Sequence, residues 1–233
     1  MSVHFGKYCF AALSALVVVA GLILFYRGSW RQPVDASGRS PYQKETAQYL
    51  RRLDGHPAPH RILFVGDSRL LSVDVSAIAP RAVNLSIGGE TAHRLLQRIA
   101  EYRALAQSDA VVIATGINDL PQRAPREIAQ SIMAIVRSLP AGKDVVLAAV
   151  LTVTTTVTDK SNEAIREINQ ALSDICRTSE RCHFVAVSPE LLDEGKALAR
   201  ACAEEDGIHL SPVGNKIWSD DIKRALESLR PAN

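Results

Sequence analysis

From Arg61 onwards the chain alternates short, uninterrupted apolar runs with amphipathic stretches, and this alternation restricts its fold more than any other feature. The runs are Ile62–Val65, Ala82–Leu85, Ala110–Thr115, Val145–Leu151 and His183–Val187. They are rich in Val and Ile and do not alternate with polar residues, the pattern of strands buried on both faces of a parallel sheet. Between them, Thr91–Ala106, Pro125–Leu139 and Ser161–Arg177 carry helical periodicity, and Glu190–Ala203 and Pro212–Leu229 are read as two closing helices. Strand–helix alternation of this kind predicts an α/β three-layer fold with right-handed crossovers. Ligands of such sheets bind at the carboxyl ends of the strands, so the residues just after each strand are where chemistry is to be sought.

Those residues form a consistent set. Gly66-Asp67-Ser68 follows the first strand, Asn84-Leu85-Ser86-Ile87-Gly88-Gly89-Glu90-Thr91 the second, and Gly116-Ile117-Asn118-Asp119 the third. Asp206-Gly207-Ile208-His209 precedes the last helix. Singly, each reads as turn or cap chemistry: Ser68 as a helix N-cap, Asp119 as a carboxylate that orders its loop. Together they bring a hydroxyl, a backbone-exposing glycine, a side-chain amide and an Asp/His pair to one edge of one sheet. Those are the parts of an acyl-transfer site.

The four segments resemble blocks I, II, III and V of the SGNH/GDSL hydrolase family, in order and over about residues 61–229. The resemblance implies a flavodoxin-like five-stranded parallel sheet ordered 2-1-3-4-5, and ester hydrolysis with no metal or organic cofactor. By the same resemblance Ser68 stands at the nucleophile, Ser68, Gly89 and Asn118 at the oxyanion-hole donors, and Asp206 and His209 at the remainder of the triad. Gly88 takes the place of Gly89 if the loop is shifted by one. Arg69 departs from the family's leucine, and it is read here as affecting pocket shape and local charge. Independently of the family, a serine hydroxyl needs a base, a neutral imidazole needs a partner to fix its tautomer, and a tetrahedral oxyanion needs converging donors. No G-x-S-x-G elbow, P-loop, HExxH or GxGxxG pattern is present.

The remaining histidines and threonines carry blander readings. His93 is a surface residue on the helix after block II, and His4 and His183 have no assigned role. Thr152, Thr154–Thr156 and Thr158 either line the pocket or extend the fourth strand. Lys223–Arg230 is a solvated helix face.

Ahead of this body, residues 8–26 contain no charge, and Cys9–Tyr26 reads CFAALSALVVVAGLILFY. Nineteen helical residues span about 28 Å, near the hydrocarbon thickness of a bilayer. Lys7 and Arg27 bracket the segment, with Tyr8, Tyr26 and Trp30 suited to the interface. It is read as an uncleaved transmembrane anchor after a tail at residues 1–7. A cleaved signal peptide ending near Val18-Val19-Ala20 fits less well, since Leu22–Phe25 continue the run. Residues 27–60, punctuated by Gly and Pro, form a linker or stalk in which Gln43–Leu53 is a short helix and His56 and His60 are solvated. The hydrolase domain is set at residues 61–233.

The balance of 27 Lys+Arg against 25 Asp+Glu gives a net charge of +2, with no basic face for nucleic acid. Four cysteines exclude a disulfide scaffold and offer no zinc motif. Cys176 and Cys182 lie close enough across a helix-to-strand turn to pair, with small core thiols as the alternative. The positive-inside count over Lys7, Arg27, Arg31, Arg39 and Lys44 favours a cytoplasmic body, whereas family members with such an N-terminal segment are usually exported. The expectation is therefore a single-pass protein of the bacterial inner membrane with a periplasmic catalytic domain. It acts on an acyl-ester substrate such as O-acetyl groups of an envelope or exported polysaccharide, by hydrolysis or transfer, within an envelope-biosynthesis complex. Lysophospholipase or acyl-thioesterase activity and a non-catalytic binding role are the alternatives.

Overall fold

The structure, a computed structural model, describes residues 38–54, 60–157 and 159–229. The expected anchor at 8–26, residues 27–37 and 55–59 of the linker including His56, and Cys9 lie outside the described residues. No helix among the described residues is long and apolar enough to cross a membrane. The chain divides into two compact units, Met1–Glu45 and Thr46–Asn233. In the first, Ser40 and Gln43 form a reciprocal cap: the Gln43 amide donates to Ser40 Oγ at 3.3 Å and the Ser40 amide to Gln43 Oε1 at 3.1 Å. This cap opens helix α1 (Pro41–Asp54), which continues into the second unit. There its last residue, Asp54, accepts from the amides of Arg103 and Ala104 at 2.7 and 2.8 Å.

The second unit is built on five parallel strands, β1 (Arg61–Gly66), β2 (Ala82–Asn84), β3 (Ser108–Ala114), β4 (Asp144–Ala148) and β5 (Cys182–Val185). Their order is β2-β1-β3-β4-β5, as the resemblance implied. The uninterrupted apolar runs are explained by the two faces. Leu63, Val65, Val111, Ile113, Val145 and Leu147 enter one core cluster, while Ile62, Phe64, Val112 and Val146 enter the other. Alternate residues of each strand thus supply opposite cores, and neither set can be polar.

Over the first face lie α4 (Ala92–Ile99), α5 (Ala104–Gln107), α6 (Pro125–Ser138) and α7 (Asp159–Cys176). The second face carries two short helices, α2 (Ser68–Leu71) and α3 (Val75–Ile78), and the long C-terminal α8 (Pro212–Ser228). Pro212 follows Ser211, whose hydroxyl accepts from the Gly214 amide at 3.3 Å, a capped start with proline in the first turn.

Three expectations are corrected. The stretch Thr91–Ala106 is two helices, α4 and α5, rather than one, interrupted after Ile99. The fourth strand ends at Ala148, whose neighbour Ala149 makes the last bond to β5 (amide to Val185 O, 2.9 Å), and residues 150–154 continue outside the strand. Glu190–Ala203 is not a helix. It holds two single 3₁₀ turns, Pro189–Leu191 and Arg200–Cys202, joined by an antiparallel bridge between Leu192 and Leu198. The tight turn Asp193–Ala197 between them closes that bridge, with Asp193 Oδ1 accepting from the Ala197 amide. Asp193 and Gly195 favour that local turn over helix continuation.

Candidate active site

The carboxyl ends of β1 and β3 approach each other closely. A Cβ on Gly66 would stand 2.0 Å from the Ala114 carbonyl, so only glycine fits there. Asp67 follows, donates its amide to Ala114 O, and caps α2 by accepting from the Arg69 amide at 3.1 Å. Ser68 is therefore the first residue of α2, lifted above the sheet edge.

Asp206 and His209 reach Ser68 from a closed loop ahead of α8. The Glu204 amide donates to His209 O at 2.8 Å, and Ala203 and Leu210 form an antiparallel bridge. Within the loop, Asp206 Oδ1 accepts from the amides of Ile208 and His209 at 2.8 and 2.9 Å. Its other oxygen lies 2.5 Å from His209 Nδ1, and His209 Nε2 lies 2.8 Å from Ser68 Oγ.

Desolvation in the loop raises the Asp206 carboxyl, but the hydrogen bonds from the His209 ring and the two amides outweigh it and hold it at about 2. An ionised carboxylate can only accept, so His209 Nδ1 carries the proton. Nε2 then presents a lone pair to the serine hydroxyl, the polarity needed to draw off its proton. The His209 and Asp206 side chains are 43% and 47% exposed, which leaves the ring accessible to a substrate from solvent.

Blocks II and III meet at the same sheet edge. The Ile87 amide donates to Gly66 O at 3.0 Å, fixing the loop to the end of β1, and Gly89 sits at φ 68°, a left-handed conformation natural to glycine. Asn118 Nδ2 donates to Glu90 O at 3.1 Å, so the amide group stands beside the Gly89–Glu90 segment with a second N–H to spare. The Asp119 carboxylate is fully buried and accepts from the Ala92 amide at 2.7 Å, the loop-ordering role read from its position. His93 is exposed, with its ring Nε2 3.2 Å from the Gln97 side-chain nitrogen and its amide donating to Asp119 Oδ1 at 3.5 Å. His60 is likewise exposed, with Nδ1 at 3.0 Å from Asp109. Among the described residues no group of three or more His, Cys, Asp or Glu gathers to hold a metal.

Several residues at the site have no counterpart in the motif reading. Glu90 and Arg98 form a buried ion pair, with Arg98 Nε 2.7 Å from Glu90 Oε1 and Arg98 Nη2 2.8 Å from Leu85 O. The pair ties the last turn of α4 to the block II loop. The Arg69 guanidinium is buried and donates to backbone carbonyls of the Asp206–His209 loop (Ile208) and of the segment after β4 (Leu151 and Thr152). Of the threonines after β4, Thr152 lines an open cavity with Ala149, Asn169 and Phe184, Thr155 and Thr156 are exposed, and Thr158 lies outside the described residues; β4 itself ends at Ala148. Thr152 and Thr154 are buried, and the Thr154 amide donates to Gly207 O at 2.9 Å, bracing the loop that carries Asp206 and His209. The four sequence blocks had local signals; the Glu90/Arg98 and Thr154/Gly207 contacts join segments that no spacing rule connects.

Comparison with known proteins follows the same lines. A model of the GDSL-like lipase/acylhydrolase family matches residues 67–217, well over half of the chain. The chain belongs to the GDSL-like lipase/acylhydrolase family. It is accordingly a carboxylic-ester hydrolase. Among solved structures, a GDSL-like lipase from Bacteroides thetaiotaomicron superposes with a TM-score of 0.68 at 20% identity, covering 79% of this chain and 98% of that one. A lipase/acylhydrolase from Enterococcus faecalis gives 0.63 at 17% identity, with coverage of 75% and 99%. An acetylxylan esterase from Geobacillus stearothermophilus gives 0.57 at 19%, with coverage of 73% and 95%. No curated protein sequence matches.

Proposed function

We propose that this member of the family is a serine esterase of short acyl groups, with Ser68 as nucleophile, His209 as general base and Asp206 as the residue that orients it. The carrying observation is the unbroken chain of hydrogen bonds from Asp206 Oδ2 through both ring nitrogens of His209 to Ser68 Oγ, at 2.5 and 2.8 Å. His209 Nε2 takes the hydroxyl proton as Oγ bonds to the ester carbonyl carbon. The carbonyl oxygen becomes an oxyanion, met by the amides of Ser68 and Gly89 and the free N–H of Asn118. Collapse expels the alkoxide, which leaves with the proton that His209 returns. Water, or a sugar hydroxyl in a transfer reaction, then repeats the sequence on the acyl-enzyme and frees Ser68.

A fluorophosphonate probe tests the assignment. Wild-type protein labels and Ser68→Ala does not. A folded wild type that fails to label favours a non-catalytic binding role, and a labelled Ser68→Ala names the wrong serine.

The short-acyl preference is supported by the segment after β4, which is threonine-rich rather than a long apolar run. One structural neighbour is named an acetylxylan esterase, and O-acetyl groups of an envelope or exported polysaccharide are the substrate we infer. The uncharged segment at residues 8–26 would hold the enzyme beside that material as an inner-membrane anchor, with the catalytic unit periplasmic. An acyl series of p-nitrophenyl esters checks the chain length. Turnover highest with acetyl supports the reading, and highest with octanoyl or longer moves the enzyme to the lysophospholipase or thioesterase class.

A further inference from the structure

Arg69 follows the nucleophile directly, and its side chain turns away from solvent. It is 3% exposed. Nε donates to Ile208 O at 2.8 Å, Nη1 to Leu151 O at 2.5 Å and Nη2 to Thr152 O at 3.1 Å. Among the described residues no carboxylate lies within ion-pair distance of it; its direct partners are main-chain oxygens, and Asp67 and Asp206 act on the charge from further away. Burying a cation in that way carries a desolvation penalty of several kcal/mol, and burial lowers its pKa to about 10. A leucine, with no donors, would avoid that penalty and fill similar space. Retaining the charge needs a return elsewhere.

We propose that Arg69 is a positioning residue that locks the His209 loop to the helix bearing Ser68. The Ile208–His209 peptide is pinned at both ends. Arg69 Nε holds its carbonyl oxygen, and Asp206 Oδ1 accepts from its N–H at 2.9 Å. The plane of that peptide sets the direction of the His209 Cα–Cβ bond, and hence where Nε2 meets Ser68 Oγ.

The other two donors of Arg69 grip Leu151 and Thr152, and the same segment grips the loop a second time. The Thr154 amide donates to Gly207 O at 2.9 Å, and Gly207, at φ 71°, packs so tightly that a Cβ would stand 2.2 Å from Thr154 Oγ1. One side chain, rooted beside the nucleophile, thereby fixes base and nucleophile in a common frame. A reacting pair displaced by about 1 Å loses on the order of 10²-fold in rate, so a clamp of this kind acts on turnover rather than on substrate affinity.

The proposal rests on the Ser68–His209–Asp206 reading. It is tested with Arg69→Leu, which restores the family's residue, measuring kcat and KM on p-nitrophenyl acetate per fluorophosphonate-titrated site, with a thermal melt alongside. The expected result is a fall in kcat of about 10²-fold with KM within about 3-fold of wild type, and a labelling rate that slows in parallel. In Arg69→Ala, added guanidinium should restore part of the lost kcat where equimolar urea does not. A lowered melting temperature with kcat per site unchanged would make Arg69 a structural residue only and overturn the proposal.

If Arg69→Leu does not fold, Arg69→Lys is read by the same split. It keeps the charge but cannot reach all three carbonyls, so a kcat reduced by about 10-fold or more supports the clamp and an unchanged kcat ends it. A wild type that neither turns over ester nor labels would instead remove the esterase assignment, a different result from active wild type with equally active variants.

Discussion

Asp67 stands one residue before the nucleophile and is 3% exposed. Burial pushes its carboxyl up to about 6, against the pull of the Arg69 guanidinium and amide. An acid whose folded pKa is raised binds its proton more tightly when folded. The corresponding stability is complete below the unfolded value near 3.8 and is lost as pH rises through about 6. Over that window the difference is worth about 3 kcal/mol. Asp67→Asn keeps the acceptor for the Arg69 amide and cannot ionise. Urea melts at about pH 4.5 and about pH 7.5 should therefore show the variant gaining on wild type at the higher pH. Parallel curves would mean that Asp67 ionises as freely folded as unfolded. At Asn118 the expectation concerns rate. Asn118→Ala removes a donor to the oxyanion and should lower kcat by about 10²- to 10³-fold with the fold intact. Near-wild-type turnover would take Asn118 out of the oxyanion hole.

At the scale of elements, what the sequence displays is what is local. The five strands, the helices at Pro125–Ser138 and Pro212–Ser228, and the turn at Gly66-Asp67-Ser68 each declare themselves through periodicity or a cap within one segment. The stretch Glu190–Ala203 carried helical spacing yet folds as two turns and a bridge, because Leu191, Leu198 and Cys202 reach the core without a continuous helix between them. The Glu90–Arg98 pair was equally invisible, since its partners are eight residues apart across a loop-to-helix junction. Its burial, with side chains 2% and 1% exposed, makes it consequential. Arg98→Met leaves the Glu90 carboxylate without its guanidinium and should cost about 3–5 kcal/mol. Adding Glu90→Gln should return much of that loss, and a chemical-denaturation cycle on the four proteins measures it. Simple additivity would show that the two side chains act independently.

For the whole molecule the order β2-β1-β3-β4-β5 brings segments from four places in the chain to one sheet edge, and the sequence blocks announced that edge before any coordinate did. The compartment in which this body works is less plainly written, because the charge count around residues 8–26 and the cysteine spacing point opposite ways. Cys176 and Cys182 are joined by a disulfide with Cα atoms 5.1 Å apart, closing the turn between α7 and β5. A loop this short limits what the bridge can add by restraining the unfolded chain, to about 2 kcal/mol. The domain should therefore fold in either redox state. A bridge between these two persists only where thiols are oxidised, outside the cytoplasm. Intact cells should then show a C-terminal reporter active in the periplasm. In protein denatured without reduction Cys202, the buried free thiol, should be alkylated while Cys176 and Cys182 react only after reduction. Purified Cys182→Ser should keep wild-type kcat and lose about 2 kcal/mol on denaturation. A reporter active only in the cytoplasm would overturn the periplasmic assignment. A periplasmic reporter with Cys176 and Cys182 alkylated before reduction would leave the location standing and show the bridge to be absent in the cell.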